Sequence, residues 1–188
     1  MSGPADGAGG AAAGGRGWTA PPPPERVEPA GTADERTLLA AYLDYHRATF
    51  ARKVAGLSAE QLRRRAVEPS SLSLLGLARH LAEVERSWWR RRVDGQDVEP
   101  LTYDGANPDG DFDDVEDADA AADLAWLARE QQLARDVLAR HSLDDTFEHA
   151  RQGTLSVRWV LAHLVEEYAR HNGHADLLRE RIDGEVGE

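Results

Sequence analysis

Three ionisable residues interrupt an apolar seam in the last third of the chain. Val160, Leu164, Glu167, His171, His174 and Leu178 follow one another at spacings of four, three, four, three and four, which places them on one face of a helix. A carboxylate buried there without a partner is strongly disfavoured. A divalent cation removes the difficulty, because carboxylate and imidazole then serve as ligands. Glu167 and His171 lie one turn apart and can reach one ion. His163, four before Glu167, stands about 12 Å along the axis from His171 and does not easily share an ion with it. His174, three beyond His171, is the main rival ligand.

A site on one helix needs a ligand from another. His80 follows Leu77 by three and precedes Val84 by four, on the flank of an earlier apolar stripe. His80, Glu167 and His171 would make a three-ligand set with positions left for water or substrate, the pattern of catalytic sites. The competing reading is a hydrogen-bonded core histidine, which applies to His80 taken alone. It is also the expectation for His46, four before Phe50, whose other role would be to stand beside the ligands or touch substrate. No Glu-x-x-His pair of a di-iron centre is present. The His-Glu-x-x-His, Gly-x-Ser-x-Gly and phosphate-loop patterns are absent too.

Four long amphipathic segments must position these residues. The first is predicted to open at a capping box, Thr32-Ala33-Asp34-Glu35, to bury Leu39, Tyr42, Leu43, Phe50 and Val54, and to stop at Gly56. Ser58-Ala59-Glu60-Gln61 opens a short helix. The second long helix carries Leu74, Leu77, Leu81, Val84 and Trp88 and ends at Gly95. An acidic loop from about Gln96 to Asp114 reads as a cover over an opening. The third helix is expected from about Val115 to Arg140 and the fourth from about Ser156 to Ile182. No strand and no repeat is evident. The expectation is all-α, an up-and-down four-helix bundle over residues 32–188, after a disordered Gly/Ala/Pro-rich tail over residues 1–31.

Composition narrows the chemistry. The 188 residues contain no cysteine, so any metal is held by nitrogen and oxygen, and no protein thiol can act as nucleophile. A formal net charge of -12 argues against nucleic acid as partner. The run Arg90-Arg91-Arg92 reads as the cationic end of a helix that complements its dipole. No apolar run is long enough to span a membrane and no leader is evident, so the expected compartment is the cytoplasm. Trp88 and Trp89 could pack in the core or against a second subunit, which leaves monomer and homodimer open.

Three stretches resemble the DinB-like superfamily, which includes thiol-dependent S-transferases and a maleylpyruvate isomerase that uses mycothiol. They are Leu43-Asp44-Tyr45-His46-Arg47, the segment from Ser73 through Gly76 and His80 to Leu81, and the segment from His163 through Glu167 and His171 to Asp176. The similarity runs from about Thr32 to Gly184. It implies a four-helix bundle with one divalent metal, held by a His of the second helix and by two residues four apart on the fourth, here His80, Glu167 and His171. Many members have His at both fourth-helix places, and the isomerase-like members have Glu then His, as here. His174 falls just beyond the motif. The resemblance further implies that the metal, which mixed imidazole and carboxylate ligands would suit as zinc, nickel or iron, activates a low-molecular-weight thiol cosubstrate for attack on an electrophilic small molecule. Two rivals stand beside it: a metal-binding stress-response module without turnover, and a metal-assisted hydrolase with Glu166 or His174 as base.

Overall fold

The computed structural model describes residues 17–187. In chain order the elements are α1 (Glu35–Val54), α2 (Ala59–Arg63), α3 (Leu74–Glu85), which runs on without a break as a π-helical segment (Arg86–Val93), α4 (Gly110–Asp113), α5 (Ala120–Arg140), β1 (Thr146–His149), β2 (Gly153–Ser156) and α6 (Val157–Asp183). The chain is mostly helical, but four helices are too spare a description of it. Two short helices and an antiparallel hairpin, with Thr146 opposite Ser156 and His149 opposite Gly153, complete the fold. The hairpin was not expected, because its two strands of four residues are too short to show a period of two against the helical pattern around them.

Local chemistry explains most helix boundaries. Asp34, not Thr32, caps α1: its carboxylate accepts from the backbone N–H and the hydroxyl of Thr37. Ser58 and Gln61 form the expected reciprocal capping box of α2. Asp119 caps α5, which therefore starts five residues later than expected. Ser156 caps α6, and Gly184 closes it in the left-handed conformation. Among the described residues, no helix is long and apolar enough to cross a membrane.

The apolar core gathers Leu43 and Phe50 of α1, Leu77 and Leu81 of α3, Trp89 of the π-helical segment, and Leu161 and Leu164 of α6. Tyr42, expected inside, is exposed, because the inner face of α1 runs through Leu43, Arg47, Phe50 and Val54. Trp89 is fully buried, whereas its neighbour Trp88 is only partly covered and stacks on His149 of β1. The tail expectation divides in two. Residues 1–16 lie outside the described residues. From Gly17 onward, the segment is laid on the helices: Thr19 pairs with Ser58, the Ala20 N–H donates to Leu57 O (2.8 Å) and Ala20 is buried. Its prolines then roof a cavity of about 700 Å³ between α1 and α5. Proline-rich chain loses little conformational entropy when fixed, so few contacts suffice to hold it.

One polar knot crosses the core. Arg47 of α1 donates to both carboxylate oxygens of the fully buried Glu85 (2.8 and 2.7 Å). The Tyr168 hydroxyl of α6 donates to the same carboxylate (2.9 Å) and accepts from Gln131 of α5 (3.0 Å). Three helices thus meet at one carboxylate, and α5 joins them through Tyr168. Arg47→Ala leaves that charge buried without its cation and is expected to lower stability by roughly 3–5 kcal/mol. The double change Arg47→Met with Glu85→Leu is expected to recover much of this. Urea unfolding of the three chains measures both effects.

Candidate functional site

His80 projects from α3 toward Glu167 and His171 of α6, and their donor atoms lie within 4.8 Å of one another. His171 Nε2 is 3.4 Å and His80 Nε2 is 4.0 Å from Glu167 Oε2, and the two imidazole centroids are 4.8 Å apart. Ligands that share one zinc-sized ion at the usual bond lengths stand about 3–4 Å apart. Two imidazole nitrogens and a carboxylate oxygen at these separations therefore fit a divalent cation.

Each imidazole is oriented by a contact at its other nitrogen. His80 Nδ1 donates to Asp111 Oδ2 at 2.8 Å, which turns Nε2 toward Glu167. His171 Nδ1 faces His174 Nδ1 at 3.3 Å. For Nε2 of His171 to offer a lone pair, its Nδ1 must carry the hydrogen and donate it to a neutral His174. Burial, followed by the charges of His171 and Arg170, lowers the pKa of His174 and favours that neutral form. His174 thus stands behind His171 rather than among the converging donors. His163 is placed on the far side of Glu167. Its Nε2 is 3.3 Å from Glu167 Oε1, and its Nδ1 is 3.5 Å from Glu166 Oε2, so these three residues form a second donor group. Its ring stacks on Trp159. The ring of His46 lies edge-on to Tyr45, its backbone carbonyl accepts from Asn172, and it is not brought to the donor cluster.

Sequence reasoning missed Asp111 and the parts that hold it. The acidic loop folds back as the single turn α4, which packs on α3 and brings Phe112 to stack on His80 at 5.0 Å between centroids. Two glycines allow this approach. A Cβ on Gly76 would sit 3.2 Å from the Phe112 ring, and one on Gly110 would collide with the carbonyl oxygen of Thr102. Arg79, adjacent to His80, donates to the carbonyl oxygens of Gly110 and Asp111 (both 3.2 Å) and pairs with Asp123 of α5 (3.3 Å). The loop carries acids at 97, 99, 104, 109, 111, 113 and 114 with no periodicity to single one out. The only local signal was the glycine that precedes Asp111.

The electrostatics follow from these contacts. Burial of the His80 ring opposes its charge, but the hydrogen bonds and charges of Asp111 and Glu167 outweigh it and raise its pKa to about 9. Glu167 is held well below the usual carboxylate range by His171 and then His80, against the effect of burial. Without a metal the cluster is therefore an ion-paired group.

Compared with known protein families, residues 38–184 match the family model described as mycothiol-S-transferase. No curated protein and no solved structure matches the chain significantly.

The folded pKa of His80 lies above its unfolded value of about 6.5. Its contribution to the stability of the metal-free protein is thus complete below about pH 6.5 and is lost as pH rises through about 9. Asp111→Asn should move the His80 titration toward neutrality, as read by NMR of the ring. It should also flatten the pH dependence of thermal unfolding between pH 6.5 and 9.

Proposed function

The chain belongs to the mycothiol-S-transferase family, within the DinB-like superfamily, and from that premise we propose that it binds one divalent cation through His80, Glu167 and His171 and transfers a low-molecular-weight thiol of the mycothiol kind to an electrophilic small molecule. The observation that carries this reading is the convergence of three nitrogen and oxygen donors from two helices, with each imidazole engaged at its outer nitrogen. The long helices α1, α3 with its π-helical extension, α5 and α6 would supply the up-and-down four-helix frame of the DinB type.

A divalent ion such as zinc, nickel or iron, once bound there, supplies Lewis acidity that lowers the pKa of a thiol brought to it. The residues of the chain do the rest. Asp111 holds the His80 ring so that Nε2 faces the cluster. Glu167 stays ionised at neutral pH and brings the negative charge of the donor set. His174 accepts the Nδ1 hydrogen of His171 and so selects its tautomer. With no cysteine in the chain, the sulfur nucleophile must come from a cosubstrate. A cavity of about 260 Å³ opens beside His80, with Trp88, Tyr103 and Phe112 on its walls, and offers aromatic surface to the acceptor.

Elemental analysis is expected to find one metal ion per chain, and His80→Ala, Glu167→Ala and His171→Ala should each abolish stoichiometric binding. Asp111→Asn should weaken it by about 10–100-fold. Because the His80 proton must leave before the metal binds, apparent affinity should rise by up to about tenfold per pH unit until about pH 9. Mycothiol and an electrophile mixed with the metal-loaded protein should react faster than with the metal-free protein. Equal rates would overturn the transferase reading.

A further inference from the structure

The three consecutive arginines lie in the last turn of the π-helical segment, as expected, but their side chains go to different places. Arg90 donates to Glu130 (2.9 Å), which Arg86 also reaches (2.8 Å), and to Gln96 (2.9 Å). Arg91 is exposed. Arg92 is partly buried and turns into the cavity that His80 also lines. In a π-helix, residues five apart stand almost one turn above each other. Arg92 accordingly lies over Ser87, whose hydroxyl oxygen accepts from it, and its guanidinium rests on the Trp88 ring at 4.6 Å from the centroid. An α-helix would have splayed these two side chains apart.

No carboxylate among the described residues pairs with Arg92. Two acids that line the same cavity are otherwise engaged: Glu83 accepts from the backbone N–H groups of Leu101 (2.6 Å) and Thr102 (2.7 Å), and Asp111 accepts from His80. The third, Asp109, is exposed and forms no ion pair with it. A partly buried cation without a counter-ion is disfavoured until an anion joins it. Burial indeed pushes the guanidinium pKa down; Tyr103 opposes this and Arg91 adds to it. A guanidinium lying over an indole ring keeps N–H groups that the ring does not engage, and a pair of them matches the two oxygens of a carboxylate.

We propose that Arg92 is the residue that recognises an anionic group on the acceptor, and that the electrophiles favoured by this chain carry a carboxylate. A single inward-facing guanidinium balances one negative charge, which fits a carboxylate better than a phosphate dianion. The inference rests on the transferase reading only for the identity of the bound molecule as acceptor; the anion site itself rests on the cavity and on Arg92. The neutral walls formed by Trp88, Tyr103 and Phe112 would take the body of the molecule.

Calorimetric titration of the metal-loaded full-length chain with benzoate and with benzamide tests this directly. Benzoate should bind at least tenfold more tightly than benzamide. Arg92→Gln should remove that preference, Arg92→Lys should weaken it, and Arg91→Gln should leave it within twofold. Equal affinities for the two probes, or a benzoate preference unchanged in both Arg92 variants, would overturn the proposal, the latter by placing the carboxylate on the metal or elsewhere. Circular dichroism and thermal melts identify a variant that has not folded, in which case the other Arg92 variant decides. These measurements need neither thiol nor turnover, so an inactive protein would refute the transferase reading and leave the anion site standing. In an active protein, rates with iodoacetate and iodoacetamide, each corrected for the uncatalysed reaction, should diverge in the wild type and converge in Arg92→Gln. No change would refute the role of Arg92 alone.

Discussion

Glu85 is the group around which the helices are arranged. Its carboxylate is fully buried, and such a charge is tolerable only when its oxygens are filled by donors. Arg47 from α1 and Tyr168 from α6 fill them, and Gln131 from α5 secures Tyr168. These contacts restrict rotation and sliding of the helices far more tightly than leucine packing does, because a hydrogen bond has direction and apolar contact has little. The consequence reaches the candidate site. Tyr168 is the residue after Glu167, so the knot that places Tyr168 inside also sets the angle at which Glu167 and His171 leave α6 toward His80.

The fully buried polar layer around Glu85 and the partly buried one around Glu167 solve one electrostatic problem in different ways. Around Glu85, an arginine and a phenol complete a closed set. Around Glu167, the partners are histidines, whose charge can be exchanged for that of a metal ion. The outer nitrogen of His80 is fixed by a carboxylate and that of His171 by a second imidazole. The donor set is therefore asymmetric, with a negative charge behind one imidazole and a second imidazole behind the other. Arg79 ties the backbone of α4 to α3 and α5, so the carboxylate behind His80 is carried by a braced turn and not by a free loop.

The π-helical segment has a function in this arrangement that regular helix could not perform. It buries Trp89, keeps Trp88 at the surface of the cavity and sets Arg92 over Ser87. The hairpin of β1 and β2 then covers Trp88 through His149. The π-helical segment lines the cavity beside His80 through Ser87, Trp88 and Arg92, so the departure from regular α-helix falls where a substrate would be held.

Periodicity along single helices made much of this readable from the residues. The seam on α6 exposed Glu167 and His171, and the helical stripe on α3 placed His80 beside them, because spacings of three and four identify a face without reference to any other helix. The same rule would have revealed the knot: Arg47 lies four after Leu43, Glu85 four after Leu81, and Tyr168 four after Leu164. What no spacing could disclose is which groups meet across elements. Asp111 comes from an aperiodic acidic loop, His174 turns toward His171 and not toward the other donors, the segment from Gly17 to Ala30 lies on the helices although its composition suggests a free tail, and Arg92 faces inward because the helix locally widens. The sequence by itself determined the mostly helical fold and the three residues of the donor cluster, since both follow from local patterns. Tertiary structure alone decided the contacts that orient those donors and the inward turn of Arg92 into the cavity beside them, since these depend on long-range packing and on backbone geometry that residue types do not encode singly.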